Sequence, residues 1–323
     1  MLTLTGCDHT GPFTITDPEP LGPAEEALPR QLTFNPGPDE SPAALADTLV
    51  YTTLPSGRAD RDRCLGYLPP EGGTLLGLRC PGGELPNGTQ DALLRPAPSG
   101  DGRLALIRER STIGSVAPSS RMLVVTPMGA PDSVLFEKNV FFTLPDGQRV
   151  LDLRDLAWQG GLVRFVGGED SLVRDPSTGV YDTLFTPLAL ATVDPATGEY
   201  ATIPGTEGAL THADAPSGGI WFVSTQDRMV LREIPAGGGG PDSVAAFSIA
   251  VDGLSVADGL PIAYHSTADT TVVEWLDPAT GQPVGRMVLR GVAHAITGVP
   301  RTRRFVLDLE RGSARDLWLF EVP

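Results

Sequence analysis

The chain has 323 residues, with 24 basic against 40 acidic side chains, a formal net charge of −16 and a pI near 4.6. That balance excludes a nucleic-acid partner, which needs a basic face able to displace counterions from phosphate, and it disfavours an anionic membrane surface for the same reason. No apolar run approaches the roughly 20 residues of a spanning helix.

Near the N-terminus, Leu4-Thr5-Gly6-Cys7 fits the bacterial lipobox, in which a small residue precedes a cysteine that is lipidated and becomes the mature N-terminus. Six residues cannot supply the charged and apolar regions that export requires. Residues 1–6 therefore read as the remnant of a longer signal, with Cys7 as the lipidation site. Residues 7–29 are rich in Pro, Gly and acids, the composition of a disordered tether. The expected location is the bacterial cell envelope, on its periplasmic or extracellular face, with membrane contact through the lipid anchor only.

Helical periodicity is scarce from residue 30 onward. Runs such as Thr48–Thr52, Arg103–Ile107 and Ile220–Ser224 are short, β-branched or aromatic, and bounded by Gly, Pro and Asp, so the class is all-β. One unit recurs: an apolar strand that closes on a proline. It appears as CLGYLP, MLVVTP, LALATVDP, MVLREIP, VVEWLDP and LWLFEVP, ending at Pro69, Pro127, Pro195, Pro235, Pro278 and Pro323. Their spacing suits the blades of a β-propeller. The repeated Asp194-Pro-Ala-Thr-Gly198 and Asp277-Pro-Ala-Thr-Gly281 read as hairpin turns. Gly160-Gly161 and Gly218-Gly219 occupy matching positions between the inner two strands of their blades.

The last copy ends at the C-terminus without its outermost strand, and Arg30–Phe34 has the length to supply it. The expected fold is one domain over residues 30–323, a six-bladed propeller closed by its N-terminal strand. A seven-bladed ring and a β-sandwich are the alternatives. The segment RQLTFNPGPDESPAALADTLVYTT resembles the start of a TolB-type propeller, specifically over Arg30 to about Gly73. In the later copies the family's Trp-Ser-Pro-Asp-Gly core is degraded. The resemblance implies a six-bladed ring used mostly as a platform for binding proteins or peptides.

A turn at Glu71-Gly72-Gly73 would set Cys64 directly across a hairpin from Cys80, close enough for a disulfide. With Cys7 lipidated, all three cysteines suit an oxidising compartment. No nucleophile elbow, phosphate loop or zinc motif is present, so no catalytic residue and no cofactor is assigned. Matching the blades on their turn glycines brings Arg95, Arg154 and His212 to about one level of the central channel, with His294 near it, a possible anion or carboxylate site. The function expected is that of a noncatalytic, monomeric envelope lipoprotein whose ring binds a protein or peptide. The alternative is a propeller hydrolase or lyase with a metal held by Asp155, Asp214 and Asp258.

Overall fold

The computed structural model describes residues 28–323 apart from 59–61, 82–87, 113–119, 140, 145–146, 175–176, 179–180 and 186–187. Cys7, the signal remnant and nearly all of the tether lie outside the described residues.

Six antiparallel sheets make up six blades. Blade 1 runs outward through Asp39–Ala44, Leu49–Thr53, Cys64–Leu68 and Gly77–Arg79, and blade 2 through Thr89–Pro98, Arg103–Thr112, Ser120–Pro127 and Phe136–Asn139. Blade 3 comprises Gly147–Gln159, Leu162–Arg174, Ala189–Val193 and Tyr200–Thr202, and blade 4 comprises Ala209–Asp214, Ile220–Ser224, Asp227–Ile234 and Asp242–Ala246. Blade 5 holds Gly253–Ala257, Leu260–Ser266, Thr270–Asp277 and Gln282–Arg290. Blade 6 holds Val292–Gly298, Arg304–Arg311 and Ala314–Glu321, and its outermost strand is Arg30–Gln31. The innermost strands touch one another in cyclic order, the sixth against the first, so the ring is closed.

Each proline-ended repeat supplies the third strand of a blade, as the sequence pattern requires. These strands, and the second strands beside them, lie between two neighbouring blades, which is why they read as continuous apolar runs. Leu49–Thr53 and Ile220–Ser224 are buried at every position. The core is correspondingly divided into six apolar clusters, one at each interface between blades. Approach between innermost strands is close: a Cβ on Gly298 would stand 1.7 Å from the Val256 carbonyl oxygen of blade 5.

The two Asp-Pro-Ala-Thr-Gly turns join third to fourth strands and share one construction. Gly198 and Gly281 donate their N–H to the Asp194 and Asp277 carbonyls at 2.7 and 2.8 Å, and each aspartate accepts from the backbone two residues on. Gly160 and Gly161 both have positive φ, 58° and 88°, and turn the inner hairpin of blade 3. In blade 1 the pairs Leu65↔Arg79, Gly66↔Leu78 and Tyr67↔Gly77 continue to Cys64 opposite Cys80, which form a disulfide at a Cα separation of 4.3 Å.

Ring closure follows the expected plan with a shorter strand. Arg30 pairs with Leu319 and Gln31 with Trp318; beyond them Leu32 N–H donates to the Leu317 carbonyl at 2.7 Å. Phe34 lies outside the strand and is exposed. One feature went unread in the sequence. The inner hairpin of blade 3 has two 13-residue strands, which carry Phe141–Leu144 and Tyr181–Phe185 as additional strands.

Candidate functional site

The innermost strands enclose a central cavity of about 1010 Å³. Their regular alternation is interrupted in five of the six blades. The pairing with the second strand shifts between Glu40 and Ala43, Leu94 and Ala97, Arg154 and Ala157, Ala209 and Thr211, and Ala293 and Ala295. Bulges of this kind bend a strand and re-aim its side chains. Here they act on the wall of the channel.

Three of the bulges hold a non-glycine residue in the left-handed region: Ser41 and Arg95 at φ 51° and Asp155 at 48°. Asp258 at 49° and Arg301 at 63° follow in the turns after the innermost strands of blades 5 and 6. These five are the non-glycine residues with positive φ among the described residues, and all five line the cavity. Each such conformation costs on the order of 1 kcal/mol, and strain of this sort concentrates where function needs it.

Arg95, Arg154, His212 and His294, the residues matched in sequence, line this one cavity, as do Asp155, Asp214 and Asp258. Arg95, Arg154, Asp155, His212 and His294 stand at or beside the bulges, Asp214 ends its strand, and Asp258 lies in the turn after the unbulged innermost strand of blade 5. The His294 Nε2 is 2.8 Å from Glu310 Oε2. Arg95 donates to the Leu153 carbonyl of blade 3. Asp155 lines the channel and is open to it, with protein on every side of the cavity. Burial raises its pKa, opposed by the Thr211 hydroxyl, by the charges of Arg95 and Arg154, and by the His212 backbone N–H.

The three aspartates are engaged separately. Asp214 Oδ1 accepts from Arg164 Nη2 at 2.5 Å, and Asp258 Oδ2 lies 3.8 Å from Arg303 Nε. Among the described residues no group of three or more His, Cys, Asp or Glu side chains is placed to share a metal ion.

Arg164 was not singled out by sequence reasoning, although a lone arginine inside Leu162-Val-Arg-Phe-Val166 was the available signal. It is fully buried, on the second strand of blade 3. Its Nη1 donates to Gln159 Oε1 at 2.7 Å and its Nε to His212 Nδ1 at 3.3 Å. A nitrogen that accepts from a guanidinium cannot carry a proton, so His212 is the neutral Nε2–H tautomer. Burial first, and then the Arg164 charge, hold its pKa well below the ordinary histidine value. At the blade 6 side, Arg315 clamps Asp308 with two bonds of 2.7 Å and reaches Glu40 at 3.1 Å.

The cavity lining thus carries five arginines against four aspartates, with His212 neutral, a nearly charge-balanced wall within a chain of charge −16.

No protein-family model matches the chain, and no curated protein sequence matches it. Solved structures do. A gluconolactonase from Xanthomonas campestris superposes with a TM-score of 0.53 at 16% identity, over 91% of this chain and 90% of its own. Regucalcin from Agrobacterium tumefaciens, described as a calcium-binding protein, gives 0.52 at 14% identity over 91% and 93%. TolB from Acinetobacter baumannii gives 0.47 at 13% identity over 79% of this chain and 54% of its own. At these identities the likeness to the gluconolactonase and to regucalcin is one of fold, and with the six sheets it makes the chain a six-bladed β-propeller.

Proposed function

We propose that the protein is a noncatalytic binding module of the bacterial cell envelope, whose ring receives a protein or peptide partner at its arginine-lined channel. The observation that carries this reading is the convergence of all five left-handed non-glycine residues on one cavity. Strained backbone kept on a shared wall fits a preorganised receptor. The state of His212 favours binding over acid–base chemistry. Its Nδ1 is occupied by Arg164 and its depressed pKa keeps the ring neutral. The disulfide between Cys64 and Cys80 fits an oxidising compartment and so supports export, with Cys7 as the anchoring residue.

Trp158 lines the cavity, with its indole N–H bonded to the Ala97 carbonyl at 2.7 Å, and serves as a fluorescent reporter. The test titrates tetra-alanine with a free C-terminal carboxylate, and then its C-terminal amide, by calorimetry and tryptophan emission. The free acid should bind, the amide more weakly, and Arg154→Gln should cost tenfold or more in affinity. Equal affinity for acid and amide, or no binding of either, counts against the proposal. The three aspartates sharing the cavity keep the metal-dependent reading testable. Stoichiometric Ca²⁺ or Zn²⁺ binding abolished by Asp155→Asn would replace the noncatalytic reading with it.

A further inference from the structure

The ring is joined by very little main chain, and two carboxylic acids are buried at the joint. Asp39 opens the innermost strand of blade 1 and is fully buried; Asp316, on the third strand of blade 6, is 6% exposed. The closing segment runs between these two blades. Leu317 N–H donates to Thr33 Oγ1 at 3.0 Å, and the Thr33 hydroxyl in turn bonds Asp39, so one side chain ties the blades together. Asn35 Nδ2 lies 2.6 Å from both Asp39 carboxylate oxygens and 3.3 Å from Thr53 Oγ1.

Every group that touches Asp39 is uncharged. From the closing segment these are Thr33 and Asn35, and from the second strand of blade 1 Thr53; the one charge that bears on it is that of Asp316. Burial alone acts on Asp316. Their sequence neighbours Glu40 and Arg315 are committed to each other and to Asp308 on the channel side. Arg30, the charged residue of the closing strand, is buried with its Nε unbonded, and its charge is not among those acting on either acid. Two carboxylates in a dry seam without a cation repel each other and lose solvation, whereas the protonated acids are merely polar groups, Asp39 among hydrogen-bond partners.

We propose that ring closure is a proton-operated latch, in which Asp39 and Asp316 hold blade 6 against blade 1 when they carry protons and loosen the seam when both ionise. Burial pushes Asp39 up to about 7 and Asp316 up to about 6, so the transition falls near neutral pH. The two-residue closing strand is the element that yields first, because among the described residues only Arg30, Gln31 and Leu32 tie it by main-chain bonds to the edge of blade 6. Loosening it frees the outer edge of blade 6 while the innermost strands stay in contact. This inference stands apart from the identity of any channel ligand.

Amide hydrogen exchange of the full chain at pH 5.5 and 8.5, corrected for intrinsic exchange, tests the latch. Protection of residues 30–33 and 316–319 should fall at least tenfold further between the two pH values than that of Ile220–Ser224 in blade 4, a fully buried strand that reports the stability of the whole ring. Asp39→Asn and, separately, Asp316→Asn should each remove at least half of the logarithmic change; the second keeps the test open should the first fail to fold. Seam protection independent of pH overturns the proposal. So does an equal loss in all blades, or a wild-type response in the Asp316→Asn variant.

Discussion

Arg164 and Asp214 form an ion pair whose two halves live in different media: the guanidinium side chain is 0% exposed and the carboxylate 61%. Their removal should therefore have unequal consequences. Losing an acid with that exposure would ordinarily cost a few tenths of a kcal/mol. Here Asp214→Ala leaves a desolvated cation with only the neutral Gln159 and His212 beside it, and the expected cost is about 3 kcal/mol. Arg164→Met instead leaves the carboxylate in the water of the channel. Urea denaturation of both single variants and the double variant checks this, and the double should be more stable than additivity predicts by more than about 1 kcal/mol. An Asp214→Ala variant within 0.5 kcal/mol of wild type would show that channel water reaches Arg164 after all.

At the scale of the element, the closing strand and the disulfide hairpin tie down opposite ends of the ring's first and last blades. A chain beginning at residue 37 lacks Arg30–Gln31 and the buried Leu32, so it should melt well below one beginning at residue 28; equal melting would mean that the closure contributes nothing. Reducing Cys64–Cys80, which are 16 residues apart, should cost about 3 kcal/mol on the loop-entropy account, read as a lower urea midpoint under reductant. The third strands were legible in the sequence because each carries an apolar run packed between blades and a proline follows it. The cysteine register was legible because a short hairpin leaves few alternatives. The innermost strands were legible only in part: a bulge such as Arg95-Pro96 resets the two-residue alternation midway, so side-chain direction beyond it cannot be counted from either end. Arg164 was hidden because its strand reads as core, and its partners Gln159, His212 and Asp214 meet it only through the hairpin turn and the neighbouring blade.

The whole molecule integrates its shifted titratable groups into one pH profile. Unfolded, aspartates titrate near 4; folded, Asp39 is raised to about 7 and Asp316 to about 6, both by burial, and Asp155 is raised in the same direction. From about pH 4 to pH 7 the native ring therefore keeps protons that the unfolded chain has released, and stability falls as pH rises. His212 opposes this. Its folded pKa is depressed, so below about 6.5 the unfolded chain takes up a proton that the native state lacks, and this contribution is lost as pH falls. Asp101 and Asp277, held below the usual carboxylate range by hydrogen bonds, add a loss of stability below about pH 4. The raised acids outnumber the histidine, so the maximum lies on the mildly acidic side, and unfolding free energy should be roughly 2 kcal/mol lower at pH 7.5 than at pH 5. Urea midpoints across this range measure the slope directly. Asp39→Asn, which cannot ionise, should flatten it, because the variant leaves Asp316, Asp155 and His212 to work nearly against one another. A wild-type midpoint that rises steadily from pH 5 to pH 8 would mean that the seam carboxyls are solvated in the native ring and that His212 alone governs the profile.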